Sequence, residues 1–81
     1  MKLAVVMPVY NEKDTILKIL EKVQKTPFDK TIIIVDDYSK DGTVEIIKNQ
    51  INADNIIKIF NEKNEGKGAA LAKGFKAVPA D

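Results

Sequence analysis

The chain has no cysteine, no histidine and no arginine. Without cysteine there is no disulfide framework and no thiol nucleophile, and with histidine also missing there is no zinc-finger ligand set. A Ser-His-Asp triad is excluded together with the histidine. All thirteen cations are lysines, which removes the planar guanidinium fork that clamps phosphate or guanine in two places at once. Charge of one sign is lacking too: thirteen lysines against twelve acids leave a net charge of +1. Such a balance gives no electrostatic footprint for nucleic acid or an anionic membrane, so a nucleic-acid partner is not expected. No apolar run approaches the roughly 18 residues that cross a bilayer. Leu3–Val6, preceded by Lys2 and stopped by Pro8, is too short for the core of a signal peptide. Together these absences predict a cytoplasmic chain.

What is present is globular: 44% hydrophobic and 31% charged residues over 81 positions. That length makes one small domain at most, burying only about 60–65% of its extended surface. No linker, repeat or low-complexity segment divides it. The organising stretch is Thr31–Thr43, TIIIVDDYSKDGT. Four β-branched residues, Ile32 to Val35, run without polar alternation into Asp36 and Asp37, as in a strand buried on both faces. Tyr38 to Gly42 form a tight exit, and Asp41 is placed to cap a helix starting at Thr43.

Either side of this stretch the same alternation recurs. Leu3 to Met7 predicts a first strand, ending at Pro8 because proline lacks a ladder donor. Ile16, Ile19, Leu20 and Val23, with Leu17 beside them, then mark one face of a helix. Asn11 or Asp14 is its candidate cap, and Thr26-Pro27 its break. After Gly42 the helical period returns in Val44, Ile47 and Ile51. It fades in Asn52–Asn55, and Ile56–Phe60 reads as a third strand. Gly66-Lys67-Gly68 opens a last helix in which Leu71, Gly74, Phe75 and Val78 share a face. The order β-α-β-α-β-α predicts an α/β fold, a three-layer Rossmann-like arrangement with a parallel sheet and right-handed crossovers. Such a sheet has two open edges. A further strand after Asp81, or a partner chain, is expected to cover one, which makes a homo-oligomer through the sheet edges one outcome.

Ligands of open α/β sheets sit at the carboxyl ends of the strands, so three segments attract attention. Asp36 and Asp37 could simply terminate their strand and satisfy turn amides. Two adjacent acids at a strand rim are costly unless used, which favours a ligand role. Pro8-Val9-Tyr10-Asn11-Glu12 lies on the same rim, where Tyr10 could stack on a flat ring and Glu12 or Asp37 could accept from a base or ribose. Taken alone, Tyr10 is equally an ordinary half-buried aromatic. Gly66-Lys67-Gly68 fails the spacing of the P-loop, and no glycine stands in the first strand-to-helix turn for a dinucleotide fingerprint. Either these glycine amides and Lys67 hold an anionic group, or they merely start a helix beside a solvated lysine. Three such segments on one rim favour a nucleotide pocket. A phosphoacceptor receiver domain also follows an apolar strand with paired acids that hold magnesium. It needs an acceptor aspartate after a later strand, where Asn61 stands here.

VVMPVYNE (Val5–Glu12), IIIVDDYSKDGT (Ile32–Thr43) and NEGKGAALAKGF (Asn64–Phe75) together resemble the N-terminal half of a family 2 glycosyltransferase. The nearest likeness is to the dolichyl- or polyprenyl-phosphate sugar transferases, and it spans essentially the whole chain. The resemblance implies that residues 1–81 are a single partial domain, the nucleotide-sugar-binding half of a GT-A fold. It implies that Pro8 and Tyr10 line the base pocket, with Tyr10 stacking and Glu12 near the base or ribose. It further implies that Asp37 accepts from a base N–H, that Asp36 supports the turn, and that Lys67 with the amides of Gly66 and Gly68 borders the nucleotide. The implied partners are a nucleoside-diphosphate sugar and, for a complete enzyme at the cytoplasmic membrane face, a lipid-phosphate acceptor.

One departure weighs against activity. The family's metal-binding D-x-D lies on the strand after an Ala-x-Gly-Asp-like segment, to which Ala77–Asp81 corresponds, with Pro79-Ala80 in place of its small-Gly step. No D-x-D occurs in these residues. Magnesium or manganese is implied for the complete family enzyme, to neutralise the departing diphosphate, with no metal site and no catalytic residue within this chain. The expectation is a donor-binding fragment that does not transfer sugar alone. The alternative is a non-catalytic binding or self-assembling α/β module.

Overall fold

A computed structural model describes residues 2–79. It runs β1 (Leu3–Val9), α1 (Ile16–Gln24), β2 (Lys30–Asp36), α2 (Thr43–Gln50), β3 (Ile56–Phe60) and α3 (Lys67–Lys76), the order that the hydrophobic periods predict. Ala80 and Asp81, the end of the Ala77–Asp81 correspondence, lie outside the described residues.

The three strands form a parallel sheet in the order β1-β2-β3. All seven residues of the central strand are buried, which is why its sequence carries no polar alternation. Side chains leave it alternately. Ile32 and Ile34 enter a core with Ile16 and Leu20 of α1 and Ile47 and Ile51 of α2. Ile33 and Val35 enter a second core with Ala70 of α3, bordered by Val6, Ile57 and Val78. Helices α1 and α2 therefore cover one face and α3 the other.

Several elements differ in detail from their sequence patterns. β1 does not stop at Pro8 but continues to Val9, pairing Pro8 with Val35 and Val9 with Asp36. The Leu3 amide and the Val9 carbonyl both bond towards β2, so the odd residues face the ladder and the even Pro8 turns its missing donor to the open edge. Neither Asn11 nor Asp14 caps α1. Thr15 holds the cap position without a side-chain bond, and the Glu12 carbonyl accepts from the Thr15 and Ile16 amides at 3.1 and 2.8 Å. On α1, Ile19 is 43% exposed and does not share the buried face of Ile16 and Leu20. On α3 the buried positions are Ala70 and Gly74, while Phe75 is 64% exposed. The helix lies so close to the sheet that a Cβ at Gly74 would fall inside the Val6 side chain and press on Val35. That approach selects the small Ala70/Gly74 stripe over Phe75.

The end of the sheet away from the strand rim is sealed by polar groups. Buried Lys30 donates to the Thr26 carbonyl at 3.0 Å and the Gln24 carbonyl at 3.4 Å, closing the C-terminus of α1. Gln24 and Asn55 exchange side-chain amide bonds of 3.0 Å. The change of face between α2 and α3 opens a crevice at the opposite end, over the carboxyl ends of β1 and β2, where open α/β sheets take their ligands.

Candidate functional site

The rim is assembled from three loops. Asp36 is the last residue of β2 and is almost fully buried. Its carboxylate accepts from the Ser39 amide at 3.0 Å and from Ser39 Oγ at 2.6 Å, so it closes the β2–α2 turn on itself. Tyr38 is left in the left-handed region at φ 64°, with Lys40 Nζ 5.1 Å from its ring centre. Asn11, also left-handed at φ 51°, joins the first loop to the second. Its amide donates to Ser39 Oγ at 2.9 Å and its Oδ1 accepts from the Lys40 amide at 2.9 Å. Two further bonds run from the Glu12 amide to Thr43 Oγ1 at 3.0 Å and from the Lys13 amide to Asp41 Oδ2 at 3.3 Å. Asp41 also accepts from the Thr43 amide at 3.1 Å, serving the start of α2 although Gly42 stands at the cap position.

Asp37 is the centre of the third loop. It is 5% exposed, and both its oxygens are engaged. Oδ1 accepts from Asn61 Nδ2 at 2.9 Å and the Glu65 amide at 2.8 Å, and Oδ2 from the Gly66 amide at 2.9 Å. The Glu65 amide does most to hold the Asp37 carboxyl below the usual aspartate range. Burial opposes it, and the Asn61 amide group, the Gly66 amide and the Lys73 cation add to it. Asp41 is likewise lowered, first by the Thr43 hydroxyl, against its own desolvation.

A cleft of about 310 Å³ opens where the first and third loops meet above β1 and β2. Pro8, Tyr10, Glu12, Asp37, Gly66 and Lys67, all singled out from the sequence, line it together. Residues far apart along the chain thus gather at one rim. Tyr10 is 47% exposed and lines the cleft. Glu12 accepts from the Thr15 hydroxyl through Oε2, so its carboxylate leans into the first turn before α1. Asp36 and Gly68 are not among the lining residues. The Gly66 amide, offered by the sequence to an incoming anion, is instead spent on Asp37 Oδ2 and on Asn64 Oδ1 at 3.1 Å. The reason is that Gly66, at φ 91°, turns its N–H inward.

Sequence reasoning missed Asn61, Asn64, Glu65 and Lys73. Lys73 Nζ donates to Asn61 Oδ1 at 2.7 Å and to Glu65 Oε2 at 2.8 Å, tying the polar loop to α3. Asn61 directly follows an apolar strand, as Asp36 and Asp37 do, and that position was its only available signal. Nothing in the spacing couples Lys73 to it. Among the described residues no three His, Cys, Asp or Glu side chains gather where they could hold a metal ion. No helix of the described residues is long and apolar enough to cross a membrane.

Comparison with known proteins agrees with this architecture. The chain is 41% identical over 73 residues to an uncharacterised protein of Methanocaldococcus jannaschii, covering 88% of this chain and 31% of that one. It is 39% identical over 81 residues to the cholesterol galactosyltransferase of Borreliella burgdorferi, covering 99% and 23%. It is 27% identical over 84 aligned positions to the undecaprenyl-phosphate 4-deoxy-4-formamido-L-arabinose transferase of Pseudomonas fluorescens, covering 96% and 25%. The chain thus spans about a quarter to a third of the length of these curated relatives. The sequence model described as Glycosyl transferase family 2 matches residues 4–81. With nearly the whole chain matched, and with the α/β layering of the N-terminal half of a GT-A fold, this protein belongs to glycosyl transferase family 2.

Proposed function

We propose that this chain is the donor-binding half of a cytoplasmic glycosyltransferase that moves a hexose from a nucleoside-diphosphate sugar to a lipid phosphate or a similar acceptor. The observation that carries the proposal is the convergence of Tyr10, Asp37 and Lys67 on one cleft at the strand rim. Tyr10 stacks on the base, and the low Asp37 carboxyl, charged at neutral pH, accepts a base N–H. Lys67 offsets the charge of the diphosphate, and Glu12 lies near the base or ribose. In the complete reaction an oxygen of the acceptor phosphate bonds to the anomeric carbon, whose bond to the diphosphate oxygen breaks, and the nucleoside diphosphate leaves with that electron pair. An acceptor that is already an anion needs no general base. This chain supplies donor contacts only, and the metal and acceptor sites belong to further parts of a longer enzyme.

A nucleotide titration followed by amide chemical shifts tests the cleft. UDP or GDP should move the signals of Tyr10, Asp37 and Lys67, and a titration that leaves all of them in place refutes the donor reading. Tyr10→Ala should weaken binding by the value of one base-aromatic stack, about 1–3 kcal/mol. Radiolabelled transfer from UDP- or GDP-sugars with manganese should show no turnover by the 81-residue chain; turnover would refute its role as a half-enzyme.

A second reading, an assembly module, draws on the open edge of β1. There Met7, Pro8, Ile16, Ile19 and Leu71 border an apolar groove. The nucleotide titration separates the two, since an assembly module associates through this edge and shows no nucleotide response.

A further inference from the structure

The Tyr10 ring is half-exposed, so packing does little to aim it and its direction follows the backbone. Two peptide groups flank the Tyr10 Cα, and each is held by the β2–α2 turn. The Val9 carbonyl, in the peptide before Tyr10, accepts from the Asp37 amide at 2.8 Å. The Asn11 amide, in the peptide after it, donates to Ser39 Oγ at 2.9 Å. Because peptide groups are planar, fixing both sets the backbone dihedrals of Tyr10 and with them the direction of its Cα–Cβ bond. Only the side-chain rotamers remain free. The first of these bonds continues the sheet ladder, since Val9 pairs with Asp36. The second rests on one hydroxyl.

That hydroxyl is itself directed. Ser39 Oγ donates its single proton to Asp36 Oδ1 at 2.6 Å, a charge-assisted bond to a residue only 1% exposed. The lone pairs of the hydroxyl are then left as acceptors for the Asn11 N–H. Asn11 takes this bond at φ 51°, in a region that Asn tolerates better than most residues. Its Oδ1 accepts from the Lys40 amide at 2.9 Å, so the same turn grips Asn11 twice. None of Asp36, Ser39 and Asn11 lines the cleft. Order is thus handed from a buried carboxylate, through a hydroxyl, to the backbone that carries a cleft-lining ring. Geometry set in advance spares a site the entropy of ordering that ring when a ligand arrives.

Building on the donor-binding reading, we propose that Ser39, acting through Asn11, is a positioning residue that aims Tyr10 at a nucleotide base. The test is calorimetry of the 81-residue chain with UDP and GDP. Tyr10→Ala should weaken the tighter of the two by about 5- to 150-fold, the value of one stack. Ser39→Ala removes the hydroxyl between Asp36 and Asn11 and should weaken it by at least about threefold. Ser39→Thr, which keeps the hydroxyl, should largely restore binding. Asn11→Gly accepts the left-handed φ without strain but drops the Lys40 bond and frees the backbone after Tyr10. It leaves the Asp36–Ser39 pair intact and should weaken binding to a similar extent, which keeps the proposal testable even if Ser39→Ala fails to fold. In a Tyr10→Ala background both substitutions should cost less than about twofold more, because their effect passes through the missing ring. An equal loss with and without Tyr10 overturns the inference. So does wild-type affinity in Ser39→Ala, or in Asn11→Gly should Ser39→Ala not fold; each of these results leaves the donor reading standing. If neither nucleotide binds the wild type, the donor reading falls and this inference with it.

Discussion

At the scale of single residues the rim carries conformational cost. Tyr38 sits at φ 64°, where a side chain with a Cβ is disfavoured by roughly 1–2 kcal/mol. The Asp36–Ser39 bonds hold it there, and Asn tolerates that region better than an aromatic residue. Tyr38→Asn should raise stability by up to about 1 kcal/mol, read as a higher melting temperature. A lower one would mean that the Lys40–Tyr38 contact outweighs the backbone term. Asp37 contributes a pH dependence whose sign follows from its lowered carboxyl. The folded form binds its proton less readily than the unfolded chain, so the stabilisation is complete above the ordinary aspartate value of about 3.9 and is lost as pH falls through the lower, folded value. Urea unfolding should accordingly show the gap between wild type and Asp37→Asn at its widest near neutrality and closing below about pH 4. An equal gap at every pH would mean that the effect of Asp37 is steric. Oδ1 and Oδ2 of Asp37 look alike in any sequence; that Oδ1 takes the Asn61 and Glu65 donors and Oδ2 the Gly66 amide was decided by the fold of the third loop.

At the scale of elements, the fit of α3 on β1 and β2 depends on Gly74. A methyl group there meets Val6 and Val35, and overpacking of this kind costs about 1–3 kcal/mol. Gly74→Ala should lower the melting temperature, and adding Val6→Ala should recover part of the loss, since the two sites share one contact. Additive losses would show that the helix simply tilts away. The periodicity of α3 gave its limits well but not its buried stripe. Leu71, Gly74, Phe75 and Val78 recur at helical spacing, yet closeness to the sheet chose Ala70 and Gly74 and left Phe75 outside. Pro8 shows the same limit. Its missing donor suggested a strand end, but on an edge strand only every second residue faces a neighbour. Whether β1 was an edge strand could not be known before the sheet order.

At the scale of the molecule, both outer strands have an unpaired edge among the described residues. The edge of β1 is flanked by apolar side chains from both layers, with Ile19 43% exposed beside it. Unprotected edges promote pairing between chains. The isolated 81-residue chain should therefore associate as its concentration rises, measured by light scattering. Ile19→Lys should reduce that association without lowering the melting temperature, and unchanged association would place the contact elsewhere. The cleft stands at the strand ends next to this edge, so whatever covers β1 also borders it.

The sequence alone determined the α/β order, the parallel sheet, the family and the six rim residues that share the cleft. Those properties reside in local period and motif, and neighbouring residues in a chain report both directly. Only the tertiary structure decided that Asp36 closes its own turn and that the Gly66 amide points inward. It alone showed that Lys73, on α3, reaches Asn61 and Glu65, the two residues that bond Asp37 Oδ1. Those outcomes depend on which polar groups meet when water is excluded. Around Asp37, hydrogen-bond capacity is shared out among residues 8 to 29 positions apart, and no one-dimensional pattern records the division.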